Sequence, residues 1–382
     1  MVSTALKASA ESGDLRPMTL RAGIVCKKKR HIYTATAPAV QIMGEESKMR
    51  MEHLHESLVQ CWMLWLFVHF TQCVCFLGSA ISSIYPTKLP KLQNAASVGH
   101  LLVGSSLLLV PGHYLAITVQ GSFNTLHAFL QAYSAPFHIG LAYFLLSPSG
   151  LPQQKPFVFA QAFCALMSLF TRLLTAWHLT EKSTRGLLIS DHFILCSFLT
   201  DGAWLVNEVV TLVTAKRTKQ DEIDQMCKRT TLWLEGKGSF YLENAFYIDA
   251  AICLLTAFMH FAFPQHILKL VITSEYTLDS HHIMWCRMFG CLSLLPALCS
   301  LTARHLPPHI QIHYLGNRLI TQVLIFVLNV FGHWALSIYS PNHISGFMIS
   351  GFFMSFLFSS FYRANSHYQN LPESLRLKPK SF

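Results

Sequence analysis

Charge is what this sequence has least of. Only 13% of its 382 residues are Asp, Glu, Lys or Arg, against 52% hydrophobic, and the mean hydropathy is +0.37. A soluble domain carries about 25% charged residues, so this chain has too little polar surface to stay in water. Paired cysteines are missing as well. There are eleven cysteines but no CxxC, which excludes a zinc ribbon and a disulfide framework. There is no Asn-x-Ser/Thr sequon, Gly-rich phosphate loop or nucleophile elbow. We read the chain as non-enzymatic, with no cofactor and no metal. Its net charge of +10 does not point to nucleic acid, because the basic residues lie outside the apolar blocks and do not interleave with aromatics.

What is present is a series of apolar blocks close to or beyond the ~18–20 residues that cross a bilayer. About eight are expected. The first set is Leu58–Ile84, Val98–Val119, Leu126–Leu146 and Phe157–Trp177; the second is Leu242–Phe263, Met284–Thr302, Ile310–Leu336 and Ile344–Phe361. Inside lipid, backbone donors and acceptors must be satisfied within the segment, so each is expected to be helical. Pro86 and Pro264 should close the first helix of each set, and Pro111 and Pro296 should kink the second.

This divides the chain into a disordered N-terminal tail (1–57), a first four-helix unit (58–180), a linker (181–241), a second unit (242–363) and a basic tail (364–382). The N-terminal tail carries no secretory signal pattern. In the linker, Leu187–Val213 is apolar but holds Asp191, Asp201 and Glu208, each costly at the centre of a bilayer. Its polar positions recur at helical spacing. It is therefore expected to be an amphipathic helix lying along the membrane or the bundle, and not a ninth span. With eight spans, the basic linker, the tail and the N-terminal flank share one face, the cytoplasm, as the positive-inside rule requires.

The two sets match in order and detail. Ile84-Tyr85-Pro86 answers Ala262-Phe263-Pro264, and Leu146-Ser147-Pro148 answers Tyr339-Ser340-Pro341. Leu169-Phe170-Thr171-Arg172 answers Ser360-Phe361-Tyr362-Arg363. An even number of helices per unit would give both copies the same orientation, whereas many transporters are inverted. The expected architecture is an all-α polytopic membrane protein of two parallel four-helix repeats. Each half resembles the tumour protein p53-inducible protein eleven family of small four-span membrane proteins. The resemblance rests on Ala262-Phe263-Pro264-Gln265, Arg287-Met288-Phe289-Gly290-Cys291-Leu292-Ser293, Thr171-Arg172-Leu173-Leu174 and the tail Lys378-Pro379-Lys380. The first copy departs from it, with His100 or Leu101 where the second has Arg287. That resemblance implies restraint of proliferation or stress signalling through protein or lipid partners, and no assigned catalytic residues.

Ionisable groups inside membrane spans are candidate functional residues. They are Asp249, Arg287, Arg318, His69 and His260. Asp249 lies well inside its span and should pair with Arg318 or a histidine. Arg172, Arg318 and Arg363 lie near span ends, where snorkelling to the interface accounts for them. Among the twenty histidines, His309 and His313 share a helix face but lack a third ligand, and His281-His282 reads as loop. Gly99, Gly104, Gly346 and Gly351 should permit close helix packing. Lys378 and Lys380, third and fifth from the end, resemble a dilysine retrieval signal of endoplasmic-reticulum membrane proteins. The expected partners are the lipid bilayer and other membrane proteins, and the expected site is the endoplasmic reticulum with both termini cytoplasmic. Mitochondrial and plasma membranes are the alternatives. A small-solute or ion carrier using Asp249, Arg318 and the histidines is the second functional reading.

Overall fold

The computed structural model describes residues 66–86, 94–112, 115, 119–120, 123–146, 155–181, 188–189, 191–214, 239–304 and 308–370. The helices are α1 (Leu66–Ile84), α2 (Ala95–Leu109), α3 (Thr125–Ala132), α4 (Ala135–Leu145), α5 (Lys155–Glu181) and α6 (Asp191–Thr214). They continue as α7 (Ser239–Ala262), α8 (Pro264–Val271), α9 (Ser280–Ala303), α10 (Pro308–Trp334) and α11 (His343–Gln369). Besides helix, the two-residue strands β1 (Val119–Gln120) and β2 (Leu188–Ile189) pair antiparallel. The expected tail signal at Lys378 and Lys380 and the N-terminal tail lie outside the described residues.

Among the described residues, six helices are long and apolar enough to cross a membrane: α1, α5, α7, α9, α10 and α11. Their outward faces are apolar. Phe67 and Phe70 of α1, Leu255 and Phe258 of α7, and Ile349 and Phe352 of α11 are all more than half exposed. Contiguous apolar surface of this kind suits lipid and not water. The remaining two expected spans are shorter. α2 stops at Leu109, just before Pro111, so that proline ends the helix and does not kink it. The expected Leu126–Leu146 span is broken at Tyr133-Ser134 ahead of Pro136, which opens α4. Pro264 opens α8 after α7 ends at Ala262, while α9 continues unbroken through Pro296.

Pairwise contacts fix the helix directions. Phe76 of α1 meets His100 of α2 edge-on, and Leu66 packs in the cluster of Leu107, so these two helices are antiparallel. Ser97 donates to the Ala142 carbonyl and Gly104 lies against Ala135, so α2 and α4 are antiparallel. Tyr143 lies against Gly316 and Tyr133 bonds Asn329, so α4 and α10 are antiparallel. Gln311 bonds the Ala303 carbonyl while Tyr314 reaches Pro296, and α9 and α10 are antiparallel. Ser300 meets Asp249 while Cys286 meets His260, and α9 and α7 are antiparallel. Helix α7 therefore runs opposite to α1.

The stretch expected to lie along the membrane or the bundle packs in the bundle. His69 bonds Thr200 at 2.8 Å and Ser83 bonds Thr211 at 3.0 Å, so α6 runs beside α1 in the same direction between these contacts. Asp201 and Glu208 are buried, and Ala203 and Trp204 join the core with Phe76 and Phe137. A polar stripe at helical spacing faces whatever satisfies it, and here that is the bundle interior. With α6 running alongside α1, the helices after it run in the reversed sense. The start of α1 and the end of α11 consequently lie at opposite ends, and the two four-helix sets are opposed where a parallel pair was expected. Nor are the sets two separate bundles: Phe137, Cys164, Phe246, Phe289 and Tyr314 share one core.

Candidate functional site

Asp249 of α7 and Arg318 of α10 meet in the interior, each almost fully buried. The Arg318 Nε donates to Oδ2 at 2.9 Å and Nη2 to Oδ1 at 3.0 Å, a two-pronged pair. Arg318 Nη2 also reaches the Cys253 sulfur, and Ser300 donates to the carboxylate and lies 2.8 Å from the Tyr314 hydroxyl. Charges removed from water are tolerated only when geometry and extra hydrogen bonds satisfy them. Arg318 is therefore an ion-pair partner and not a snorkelling side chain. Arg172 is likewise paired, through Nε, with Asp201 of α6, and its guanidinium lies 5.6 Å from the Trp285 ring. Arg363 is exposed.

Beside Asp249 and Arg318 lies a cavity of about 330 Å³. It is walled by α3, α4, α7, α8, α9, α10 and α11, mostly through apolar groups such as Phe129, Phe137, Phe289 and Phe353. A few polar groups converge on it: His260, Arg318, Gln322, Asn329, Tyr339 and His343. This is the composition of a small-molecule pocket, apolar with sparse orienting polar groups. Tyr133 and Tyr339 both donate to Asn329 Oδ1, at 2.8 and 3.1 Å. Burial, together with neighbouring Tyr133, pushes the Tyr339 phenol well above its ordinary range, so it stays a neutral donor. Its ring stacks on His343 at 3.5 Å. Two lining side chains hold buried nitrogens without a hydrogen-bond partner, Trp285 Nε1 and His343 Nε2. Native interiors rarely leave such groups unsatisfied.

Of the residues expected from sequence, the structure brings Asp249, Arg318 and His260 together at this cavity. His69 belongs instead to a second polar cluster with Thr200, Arg172 and Asp201. Arg287 is half-buried on α9 and has no carboxylate partner among the described residues. His309 sits against Tyr368 and His313 against Tyr143, without a third ligand among the described residues. Of the expected packing glycines, Gly99 and Gly104 do lie at tight helix contacts, while Gly346 is in ordinary contact only with His343. His281 and His282, expected in a loop, occupy the first turn of α9. Sequence reasoning missed Trp285, Tyr339 and His343 as site residues, because aromatic residues in apolar blocks carry no distinguishing pattern.

Residues 94–361 match the family described as domain of unknown function (DUF8292). The chain belongs to this family. The DUF8292 region opens at Asn94, just ahead of α2, and closes at Phe361 within α11. Both ion pairs and the whole cavity fall inside it; α1, with His69, falls outside. No curated protein and no solved structure matches the chain.

Proposed function

We propose that this protein is a non-enzymatic integral membrane carrier of a small, mostly apolar solute, and that the cavity beside Asp249 and Arg318 is its binding site. The observation that carries the reading is the opposed direction of the two four-helix sets around that cavity. Inverted sets with a site at their interface suit alternating access, in which one set rocks against the other. The ion pair supports the same reading, since compensated charges leave the cavity close to neutral. A solute with one acceptor for Trp285 Nε1 and one polar group for His343 Nε2 would satisfy both unpartnered nitrogens.

In this reading α6 crosses with the others, for nine passes in all. The linker, with Lys216, Arg217, Lys219, Lys228, Arg229 and Lys237, then shares a face with the tail. That face is cytoplasmic by the positive-inside rule, and Lys378 and Lys380 would be readable there as an endoplasmic-reticulum retrieval signal. The similarity to the p53-inducible protein eleven family adds partner proteins in that membrane to the proposal.

The test is uptake of a panel of labelled small neutral and amphipathic solutes into proteoliposomes. Wild type should move at least one. Thr256→Phe, which fills the cavity, should abolish that uptake while melting at the wild-type temperature. No uptake of any panel member, or equal uptake by Thr256→Phe, would overturn the proposal.

A further inference from the structure

At the end of the bundle where α1 begins, the starts of α3 and α9 meet. Each helix opens with the same device. The Asn124 side chain accepts from the His127 amide and His127 Nδ1 faces back to the Asn124 amide. The Asp279 carboxylate accepts from the His281 and His282 amides and His282 Nδ1 faces back to the Asp279 amide. These are capping boxes with histidine in the place of the usual Glu or Gln.

The two boxes are joined. His127 Nε2 lies 2.9 Å from Asp279 Oδ2, and His282 Nδ1 lies 2.9 Å from Asp279 Oδ1. The His127 and His282 rings are 3.7 Å apart, centre to centre, and both are buried. One ligand atom from each of the three residues falls within 4.8 Å of the others.

His127 Nδ1 lies 3.2 Å from the donating Asn124 amide and 2.7 Å from Asn124 Oδ1, so it has a partner in either tautomer, and when it carries the proton it donates to Oδ1. Its Nε2 then presents a lone pair to a carboxylate oxygen. His282 Nδ1 accepts from the Asp279 amide and at the same contact faces Asp279 Oδ1. Its Nε2 is buried with no partner. Protonating both rings would place two imidazolium charges with ring centres 3.7 Å apart, which is unfavourable at such a separation. A single cation would be held by that lone pair, the carboxylate and a His282 nitrogen together, whose ligand atoms lie within 4.8 Å of one another.

We propose that His127, Asp279 and His282 bind a divalent transition-metal ion of the zinc class, clamping α3 of the first set to α9 of the second. Two imidazoles and one carboxylate at helix starts form a donor set common at zinc and related metals. Asn124, on the far nitrogen of His127, is the outer-shell acceptor that orients a ligating imidazole. Three protein ligands leave a position open, so the ion would exchange with a chelator.

The experiment uses the full chain in nanodiscs, stripped with EDTA and titrated with zinc, with bound metal and unfolding temperature as readouts. Wild type should bind one zinc per chain and melt higher when loaded. Asp279→Asn keeps a good helix cap, and His127→Gln keeps a residue able to close the box. Both should melt like stripped wild type in EDTA, and both should lose affinity by more than the ~10–100-fold typical of losing an outer-shell partner. His309→Ala should bind as wild type. No zinc bound by wild type would leave a hydrogen-bonded cap only, and undiminished binding in both variants would move the ion elsewhere; either overturns the proposal. Neither result depends on transport, so the failure of one proposal is distinguishable from the failure of the other.

Discussion

Arg318 grips Asp249 with two parallel hydrogen bonds, from Nε and Nη2, across the contact between α10 and α7, with neither charge reaching solvent. Removing one partner strands the other's charge in the interior. Asp249→Ala or Arg318→Leu alone should destabilise the protein by about 3–5 kcal/mol. The double variant Asp249→Leu with Arg318→Met should recover much of that loss, because an apolar pair carries no desolvation penalty. Unfolding of the three variants in micelles measures this; losses that simply add would contradict it.

Gly290 sits where α9 presses on the α7 backbone. A Cβ there would lie 2.9 Å from the Phe261 nitrogen and 3.0 Å from the Ala257 oxygen. Backbone cannot step aside as a side-chain tip can, so Gly290→Ala should destabilise by about 1–3 kcal/mol. Gly202 of α6 has open space around it, and Gly202→Ala should be neutral or stabilising by up to ~1 kcal/mol. Comparing the two melting temperatures checks the pair.

Tyr339 has a phenol pKa raised by burial and by Tyr133. A raised folded value means its stabilising contribution is complete below the unfolded value of about 10 and is lost as pH rises toward the folded value. Wild type should therefore lose stability above about pH 10. Tyr339→Phe, which also gives up the bond to Asn329, should be ~1 kcal/mol less stable at neutral pH but flatter on the alkaline side. A parallel alkaline decline in both proteins would contradict this.

The sequence made some of this legible, and the reasons are physical. A lone carboxylate deep in an apolar span must find a cation, so Asp249 called for Arg318 or a histidine, and the partner is Arg318. Arg172 was harder, because its position near a span end suits snorkelling and its partner Asp201 lies in a stretch that helical spacing places only along the membrane or the bundle. Helical spacing reports that one face is polar and says nothing about which side that face meets. The expected direction of the second set follows from this one stretch: uncounted as a pass, it leaves the two sets parallel; counted, it leaves them opposed. The His127–Asp279–His282 cluster joins residues 152 positions apart, which no local spacing reveals. Its one local signature is the repeated pattern Asn124-x-x-His127 and Asp279-x-x-His282, a cap residue with histidine three places on. The cavity was invisible in sequence because its walls come from seven helices.

The central claim is that α6 passes through the membrane with the other helices and so inverts the second set. Three epitope tags decide it, placed at Thr184 between α5 and α6, at Lys219 in the linker and just ahead of Lys378, and labelled after selective permeabilisation. The account predicts the Lys219 and Lys378 tags on the cytoplasmic face and the Thr184 tag on the opposite face. Thr184 and Lys219 tags on the same face would mean that α6 does not cross, that the two sets are parallel, and that the carrier reading loses its support.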